Sequence, residues 1–374
     1  MKLLHVHSGN MFGGVERMLQ TLAQATAGVT PVHSSFALCF QGRVSETLRA
    51  AGGEVHHLGE LRVRKIDEVR RARRELRALL TARNWDAVLV HSAWSQAAFG
   101  STVLKAGVPL VRWLHSPTPG PWWLERWSAR SRPALVLCNS RYTREAVGNR
   151  MGEVPMSVHY PPAVLPAAEQ DTRAALRAEL GTPADAIVVA LAARLESGKG
   201  HEHLVAAMAR LEEDPTTEAW IIGGVQLAAE QAYLDSLRRQ AADAGVERRV
   251  RFLGQRDDVQ RLLQAADVYC QPNRDPDSFG LSFVEALAAS LPVITTRIGA
   301  AGEIIDESCG VLVEPGSSGE LTGALRRLVD SPVERAQMSR AASSRARKFC
   351  DLPASLSRLA NELAALSSCA RQLT

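Results

Sequence analysis

A rhythm of short apolar runs alternating with longer helical patterns plays through this chain twice, and it constrains the fold more than any other feature. In the first pass Leu3–His7, Ser35–Phe40, Ala87–His91, Leu110–Leu114 and Ala134–Cys138 read as strands, with helices predicted near 14–27, 43–51, 66–82, 93–106 and 140–150. Strands separated by helices in this way form a parallel sheet covered on both faces. Residues 155–170 break the rhythm with Pro155, Pro161, Pro162 and Pro166 and read as an interdomain linker. It then restarts with strands at Ile187–Ala192, Ala219–Ile222, Val250–Leu253, Val268–Gln271, Pro292–Thr295 and Val311–Val313. Helices follow near 201–211, 227–243, 257–265, 280–290, 319–329 and 332–349, and a last amphipathic one near 354–367. The expected fold class is therefore α/β, with two doubly wound, Rossmann-like domains at 1–166 and 167–350 facing each other across a cleft. Residues 351–374 are expected to return to the first domain. A chain of 374 residues suits two domains of ordinary size, and ligands of such sheets bind at the carboxyl ends of the strands.

Charge is divided unevenly between the halves. Residues 1–166 carry 21 Lys+Arg against 11 Asp+Glu, net +10, and the remaining residues carry 23 against 29, net −6, which together give the overall +4. A basic first half implies an anionic partner there. The six cysteines are scattered without a close pair, which fits reduced thiols better than a disulfide framework or a zinc site. No apolar run is long enough to span a membrane, and the first residues read as a buried strand rather than a signal peptide. A cytoplasmic protein is expected, with peripheral contact at the inner face of the cell membrane as the alternative that the basic half raises.

Four clusters carry chemistry. After the strand Val268–Gln271 come Asp277, Ser278, Phe279, Gly280 and Leu281, at the start of a helix that also carries Glu285. Backbone N–H groups at such a helix start favour an anion, and the two carboxylates can accept bonds from sugar hydroxyls. The same residues also read as a plain N-cap and a half-buried helical acid. After the strand Ile187–Ala192 come Arg194, Lys199 and Gly200, two cations able to neutralise a diphosphate and the charge left as its bond to a sugar breaks; a solvated basic loop is the plainer alternative. Gly13 and Gly14 open a helix after the first strand, where a backbone can approach a phosphate or sugar. His115 ends an apolar strand, where a neutral imidazole can bond a hydroxyl.

Taken in order, Gly13-Gly14-Val15-Glu16-Arg17, His115, Asn139-Ser140, Arg194…Lys199-Gly200 and Phe279-Gly280…Glu285-Ala286 resemble glycosyltransferase family 4. These are retaining nucleotide-sugar transferases of the GT-B architecture, and the resemblance runs through nearly the whole chain. It implies that Arg194 and Lys199 bind the donor diphosphate, that Asp277 binds the sugar and Glu285 the ribose, and that His115 bonds a sugar hydroxyl. The backbone after Phe279 would take a phosphate. The first domain would bind the acceptor, a glycan or a lipid-linked glycan precursor. Departures from the family pattern are Asp277 where Glu is usual, Ala193 where Gly is usual, and Gly299-Ala300-Ala301-Gly302-Glu303 for Gly-Gly-x-Pro-Glu. The Asp277 departure withdraws the carboxylate by one methylene. It raises the alternative of a non-catalytic nucleotide-sugar-binding or scaffold protein on the same frame. No cofactor is expected. No metal is expected either, because Arg194 and Lys199 supply the charge that a metal held at Asp275-Pro276-Asp277 would bring.

Two features point to a surface role. In residues 62–83, Ile66, Val69, Ala72, Leu76, Leu79 and Leu80 recur at helical spacing, while Arg62, Arg64, Lys65, Arg70, Arg71, Arg73, Arg74 and Arg77 crowd the other faces. This reads either as a solvated helix or as a docking face for anionic lipid. Trp113, Trp122, Trp123 and Trp127 gather around His115 and suit an apolar–aqueous boundary or loop packing. The chain lacks the interleaved aromatic and basic strand platform of a nucleic-acid-binding protein, so no nucleic acid is expected.

Overall fold

A computed structural model describes residues 1–9, 13–26, 30–164, 172–211 and 216–371. The chain forms two compact units, Met1–Val164 with Asp351–Thr374, and Leu165–Cys350.

Unit 1 is built on seven strands: β1 (Lys2–His7), β2 (His33–Leu38), β3 (Glu54–His57), β4 (Ala87–Val90), β5 (Leu110–Leu114), β6 (Leu135–Cys138) and β7 (Met156–Val158). All pair in parallel, in the order β3-β2-β1-β4-β5-β6-β7. The centre of the sheet is buried on both faces, which explains the near-continuous apolar runs of β1, β4 and β5. Leu3, Phe36, Leu38, Leu89 and Trp113 face the helix Gly14–Thr26 on one side, and Leu356, Leu359 and Leu363 of the terminal helix Leu352–Arg371 join them there. Leu4, Val6, Val88 and Val90 face the helices Ile66–Ala82 and Ala93–Lys105 on the other side. The terminal helix is also tied to β7, through Ser157 donating to Glu362 and the ring of His159 beside Ser355 and Glu362.

Unit 2 has six parallel strands: β8 (Ile187–Ala192), β9 (Thr217–Ile222), β10 (Val250–Gly254), β11 (Val268–Gln271), β12 (Val293–Thr296) and β13 (Gly310–Val313), in the order β10-β9-β8-β11-β12-β13. Its first helix, Thr172–Glu179, is anchored by a buried arginine. Arg177 donates to the carbonyls of Ala265 (3.0 Å) and Ala186 (2.8 Å) and to Asp267 (2.7 Å). Asp267 in turn accepts from the N–H of Val188 at 2.8 Å, fixing the start of β8. Removing one partner of such a buried pair costs about 3–5 kcal/mol.

The sequence reading needs four corrections. Glu54–His57 is a strand that it left out: the segment is too polar to look apolar, but as an edge strand it is held by main-chain pairing to β2 alone. Met156–Val158, inside the expected linker, is the opposite edge strand; residues 165–171, with Pro166 and the expected boundary at 166/167, lie outside the described residues. The helices Trp122–Ser128, Thr172–Glu179 and Ala301–Ile304 were not predicted. Trp113 does not belong with the other tryptophans at a surface, since it is fully buried in the core of unit 1.

Candidate active site

Both sheets reverse their strand order at one place, between β1 and β4 in unit 1 and between β8 and β11 in unit 2. Helices leave on opposite faces at such a switch point, and the crevice they open at the carboxyl ends of the strands is where doubly wound folds bind ligands. The predicted residues fall there. Arg194 and Lys199 follow β8, Asp277 to Glu285 follow β11, Gly13 and Gly14 follow β1, and His115 directly follows β5 beside the switch point.

In unit 2 the turn Ser197–Lys199 leads into the helix His201–Ala209 through Gly200, at φ +73°. A Cβ at this position would lie 1.9 Å from the Pro272 carbonyl oxygen, so only glycine lets the β8 loop lie against the β11 loop. Main-chain bonds from Arg274 (2.9 Å) and Asp275 (3.1 Å) to the Gly198 carbonyl fix the same contact. The two loops share one ion pair, Lys199 with Asp277. Asp277 Oδ1 accepts from the Lys199 ammonium, while Oδ2 accepts from Gln271 Nε2 at 3.0 Å and Asn273 Nδ2 at 2.8 Å. Gln271 is itself set by the Tyr269 hydroxyl (2.6 Å) and by Ser282 (3.0 Å). Arg194 is half-exposed and pairs with Glu196 at 2.6 Å. These contacts leave two cations and one carboxylate in place, each held by a partner that a ligand could replace.

The helix Leu281–Ala288 begins at Gly280, at φ +88°. Its first internal bonds run from the N–H groups of Phe283 and Val284 to the Gly280 carbonyl. The N–H groups of Gly280, Leu281 and Ser282 meet no protein acceptor among the described residues, which leaves donors aligned for an anion. Phe279 is buried against Phe349, Ser278 sits half-buried at the turn, and Glu285 is half-buried one turn into the helix.

In unit 1, His115 is the outer member of a row of imidazoles. His5 Nδ1 meets His91 Nε2 at 3.0 Å, and His91 Nδ1 meets His115 Nε2 at 2.9 Å. The rings stack at centroid spacings of 5.2 Å and 5.2 Å. His91 donates through one nitrogen and accepts through the other, so its tautomer sets those of His5 and His115; His5 Nε2 is buried without a partner. Burial pushes His5 and His115 down to about 3 and His7 to about 4, and it holds His91 well below the usual histidine range. The row is neutral at physiological pH. Glu16, the buried acid after Gly13-Gly14, bridges two parts of this corner: one oxygen lies 3.3 Å from His7 Nε2, and the other accepts from the Gly13 N–H at 2.8 Å.

Sequence reasoning missed Gln271, Asn273, His5, His7 and His91. Tyr269, Gln271 and Asn273 repeat at every second residue, a polar stripe at the end of a buried strand, and histidines close β1 and follow β4. Polar residues at the carboxyl ends of central strands are the signal that would have found them. Among the described residues no group of three or more His, Cys, Asp or Glu is placed to hold a metal ion. Cys39, Cys138, Cys270, Cys309 and Cys350 are all buried free thiols.

The family model "Glycosyl transferases group 1" matches residues 172–345, and the model "Glycosyltransferase Family 4" matches residues 12–163. The chain is 32% identical over 216 residues to a GDP-mannose-dependent monoacylated alpha-(1-6)-phosphatidylinositol monomannoside mannosyltransferase of Corynebacterium glutamicum, covering 54% of each chain. It is 31% identical over 289 residues to a D-inositol 3-phosphate glycosyltransferase of Kineococcus radiotolerans, covering 72% of this chain and 64% of that one. The chain thus spans about half the length of the curated relatives it matches. Among solved structures it is similar to HepE of Anabaena in complex with UDP and glucose, at a TM-score of 0.86 and 25% identity, covering 98% of this chain and 100% of that one. With one glycosyltransferase model on each unit and relatives of the same kind, the chain belongs to the group 1 glycosyltransferases of family 4.

Proposed function

We propose that the chain is a retaining, metal-independent glycosyltransferase that moves a sugar from a nucleotide-diphosphate sugar to a hydroxyl of a lipid-linked or cell-envelope glycan precursor. The observation that carries this reading is the set of groups at the switch point of unit 2: Arg194 and Lys199 after β8, Asp277 and Glu285 after β11, and the open N–H groups at Gly280, Leu281 and Ser282. In this reading the donor diphosphate takes the Lys199 ammonium from Asp277 Oδ1, and the freed oxygen accepts a sugar hydroxyl while Gln271 and Asn273 hold Oδ2. Glu285 takes the ribose. His115, fixed in one tautomer by His91, bonds a sugar hydroxyl. Gly13 and Gly14 let the backbone approach the donor. The bond from the anomeric carbon to the diphosphate breaks as the acceptor oxygen bonds the same face. The acceptor's proton passes to the departing diphosphate oxygen, whose charge Arg194 and Lys199 stabilise. The printed names of the relatives, a GDP-mannose enzyme and a protein bound to UDP, support a nucleotide-sugar donor without choosing its base.

Thermal shifts with UDP-, GDP- and ADP-sugars identify the donor, and NMR of the product made in EDTA reads its anomeric configuration. Lys199→Ala and Glu285→Ala are each expected to lose about 10²–10³-fold in turnover while staying folded, the magnitude typical of one preorganised charge-stabilising group. Wild-type turnover in both variants would overturn the assignment.

The alternative of a non-catalytic sugar-nucleotide binder is favoured by one feature, the full set of protein partners on the Asp277 carboxylate. Donor hydrolysis that appears only in Asp277→Glu would establish it.

The reading also places unit 1 at an anionic membrane as a peripheral protein of the inner face. Trp122 is 73% exposed, Ile66 is 66% exposed, and Arg62, Arg64, Lys65, Arg70, Arg74 and Arg77 are exposed along the helix Ile66–Ala82 and the segment just before it. Arg73 is not part of that face: it turns inward to the carbonyls of Ala97 and Ala98 and lies over the Trp127 ring. No helix among the described residues is long and apolar enough to cross a membrane. Sedimentation with phosphatidylglycerol vesicles, lost in Trp122→Ala/Arg70→Glu/Arg74→Glu, tests the placement.

A further inference from the structure

We propose that unit 1 carries a second ligand site, for a small amphipathic anion, on the face of its sheet opposite His115. Successive residues of a strand point to opposite faces. Trp113 packs with Leu3 and Leu137 on the histidine side, whereas Leu114 packs with Val136, Cys138, Val147 and Val154 on the other. Arg112 points the same way as Leu114. Over them a cavity of about 500 Å³ opens between the helix Trp122–Ser128 and the segment Arg141–Met151. That volume lies within the roughly 300–1,000 Å³ of small-molecule sites.

The base of the cavity is a buried cation with unfinished bonding. The Arg112 side chain is 7% exposed. Its Nη1 donates to Gln96 Oε1 at 3.1 Å and reaches Glu125 Oε2 only at 3.4 Å. Its Nε is buried without an acceptor, and its Nη2 meets no protein acceptor among the described residues. The neighbours leave it incomplete, because other bonds fix how the Gln96 amide and the Glu125 carboxylate are turned. Gln96 Nε2 is committed to the carbonyls of Ser128 and Ser131, and Glu125 Oε1 to the Gly120 N–H. A buried donor left unpaired costs about 1–3 kcal/mol, and more on a charged group. An oxyanion at Nη2 supplies the missing acceptor beside the long Glu125 contact.

Most of the remaining wall suits an apolar body, with Leu114, Pro117, Val147, Met151 and Val154 lining it, while Arg132 and Glu153 bring opposite charges to the lining. The opening is held rather than loose, because Arg150 on the rim donates to the Pro117 carbonyl at 2.5 Å and to the Ala146 carbonyl at 2.9 Å, tying the loop after β5 to the helix end. An anionic head at the base and a short hydrocarbon along the wall describe the ligand.

The experiment is calorimetric titration of the full chain with hexyl phosphate, hexanol and inorganic phosphate, with and without a saturating nucleotide. Hexyl phosphate is expected to saturate one site, about tenfold or more tighter than either fragment, as one charge-assisted bond or a few buried methylenes would give. The nucleotide should leave it in place. Arg112→Gln removes the charge, and Ala129→Trp fills the cavity from an exposed position outside the sugar-transfer groups. Both should weaken binding at least about tenfold, and Ala129→Trp decides the matter if Arg112→Gln does not fold. Absence of saturable binding, equal binding of hexanol, displacement by nucleotide, or wild-type affinity in Ala129→Trp would each overturn the proposal.

Discussion

At the same place in the same strand order, unit 1 sets a row of neutral rings and unit 2 sets ions that hold one another. His5, His91 and His115 are kept uncharged by burial, whereas Lys199 and Asp277 stay half-buried and paired. The shared topology therefore decides where a ligand can sit and says nothing of the charge it meets. Neutral imidazoles suit hydroxyl groups and lose their function when charged. Paired ions suit a ligand that brings its own charge and trades places with one partner.

Acidification should break the comparison most visibly. A histidine whose folded pKa lies below its unfolded value of 6.5 contributes stability that is complete above pH 6.5 and lost as pH falls towards the folded value. His5, His7, His91 and His115 all shift this way in unit 1, against His201 alone among the deeply buried histidines of unit 2, which burial lowers to about 4. Each contributes up to about 1.4 kcal/mol per pH unit within its window. Unit 1 is thus expected to lose hydrogen-exchange protection first, between pH 6.5 and about 4. The carboxylates of unit 2 that hydrogen bonds hold low, Asp258 by Arg256, Asp306 by Ser308 and Glu334 by Arg327, give way only below their ordinary values of 3.8 for Asp and 4.5 for Glu. Simultaneous loss in both units at pH 5 would contradict the account.

Next in size is Asp277→Asn, which keeps the shape but removes the charge facing Lys199. It should cost about 10²-fold in turnover, as the loss of one preorganised polar contact does. It should also tighten bare nucleoside diphosphate, because Lys199 no longer has to leave a carboxylate. Weaker diphosphate binding would mean that Asp277 positions the lysine rather than competing for it. The smallest effect belongs to His91→Gln. A glutamine can still bridge His5 and His115 but does not couple their tautomers, so about 1 kcal/mol, or roughly fivefold in turnover, is expected. A pH–rate profile displaced towards neutrality in this variant would sharpen the role of the row, and an unchanged profile and rate would remove it.

Much of this is legible in the sequence. The central strands announced themselves because burial on both faces demands uninterrupted apolar residues, and the charges at Arg194, Lys199 and Asp277 stood at the ends of such runs. The edge strands Glu54–His57 and Met156–Val158 were not legible, since main-chain bonding to one neighbour holds them and leaves little mark on composition. The helix Trp122–Ser128 is short and follows three prolines, and its hold on the unit comes from Gln96 and from Gly100, where any side chain would strike Ser131. The partners of the site residues were hidden for a related reason. His5 and His91 are 86 residues apart and meet only because β1 and β4 are neighbours, and nothing local to either predicts the contact.

The return of Leu352–Arg371 to unit 1 sets an order of assembly. Leu356, Leu359 and Leu363 cover the same apolar face as Met18, Leu19 and Phe36, and each contributes about 1.5–3 kcal/mol by leaving water. On a ribosome the whole of Leu165–Cys350 is made before those three leucines exist. Unit 1 is therefore completed only after unit 2 has been made, and until the closing helix emerges the part of its sheet face beside Gly14–Thr26 stays open to water.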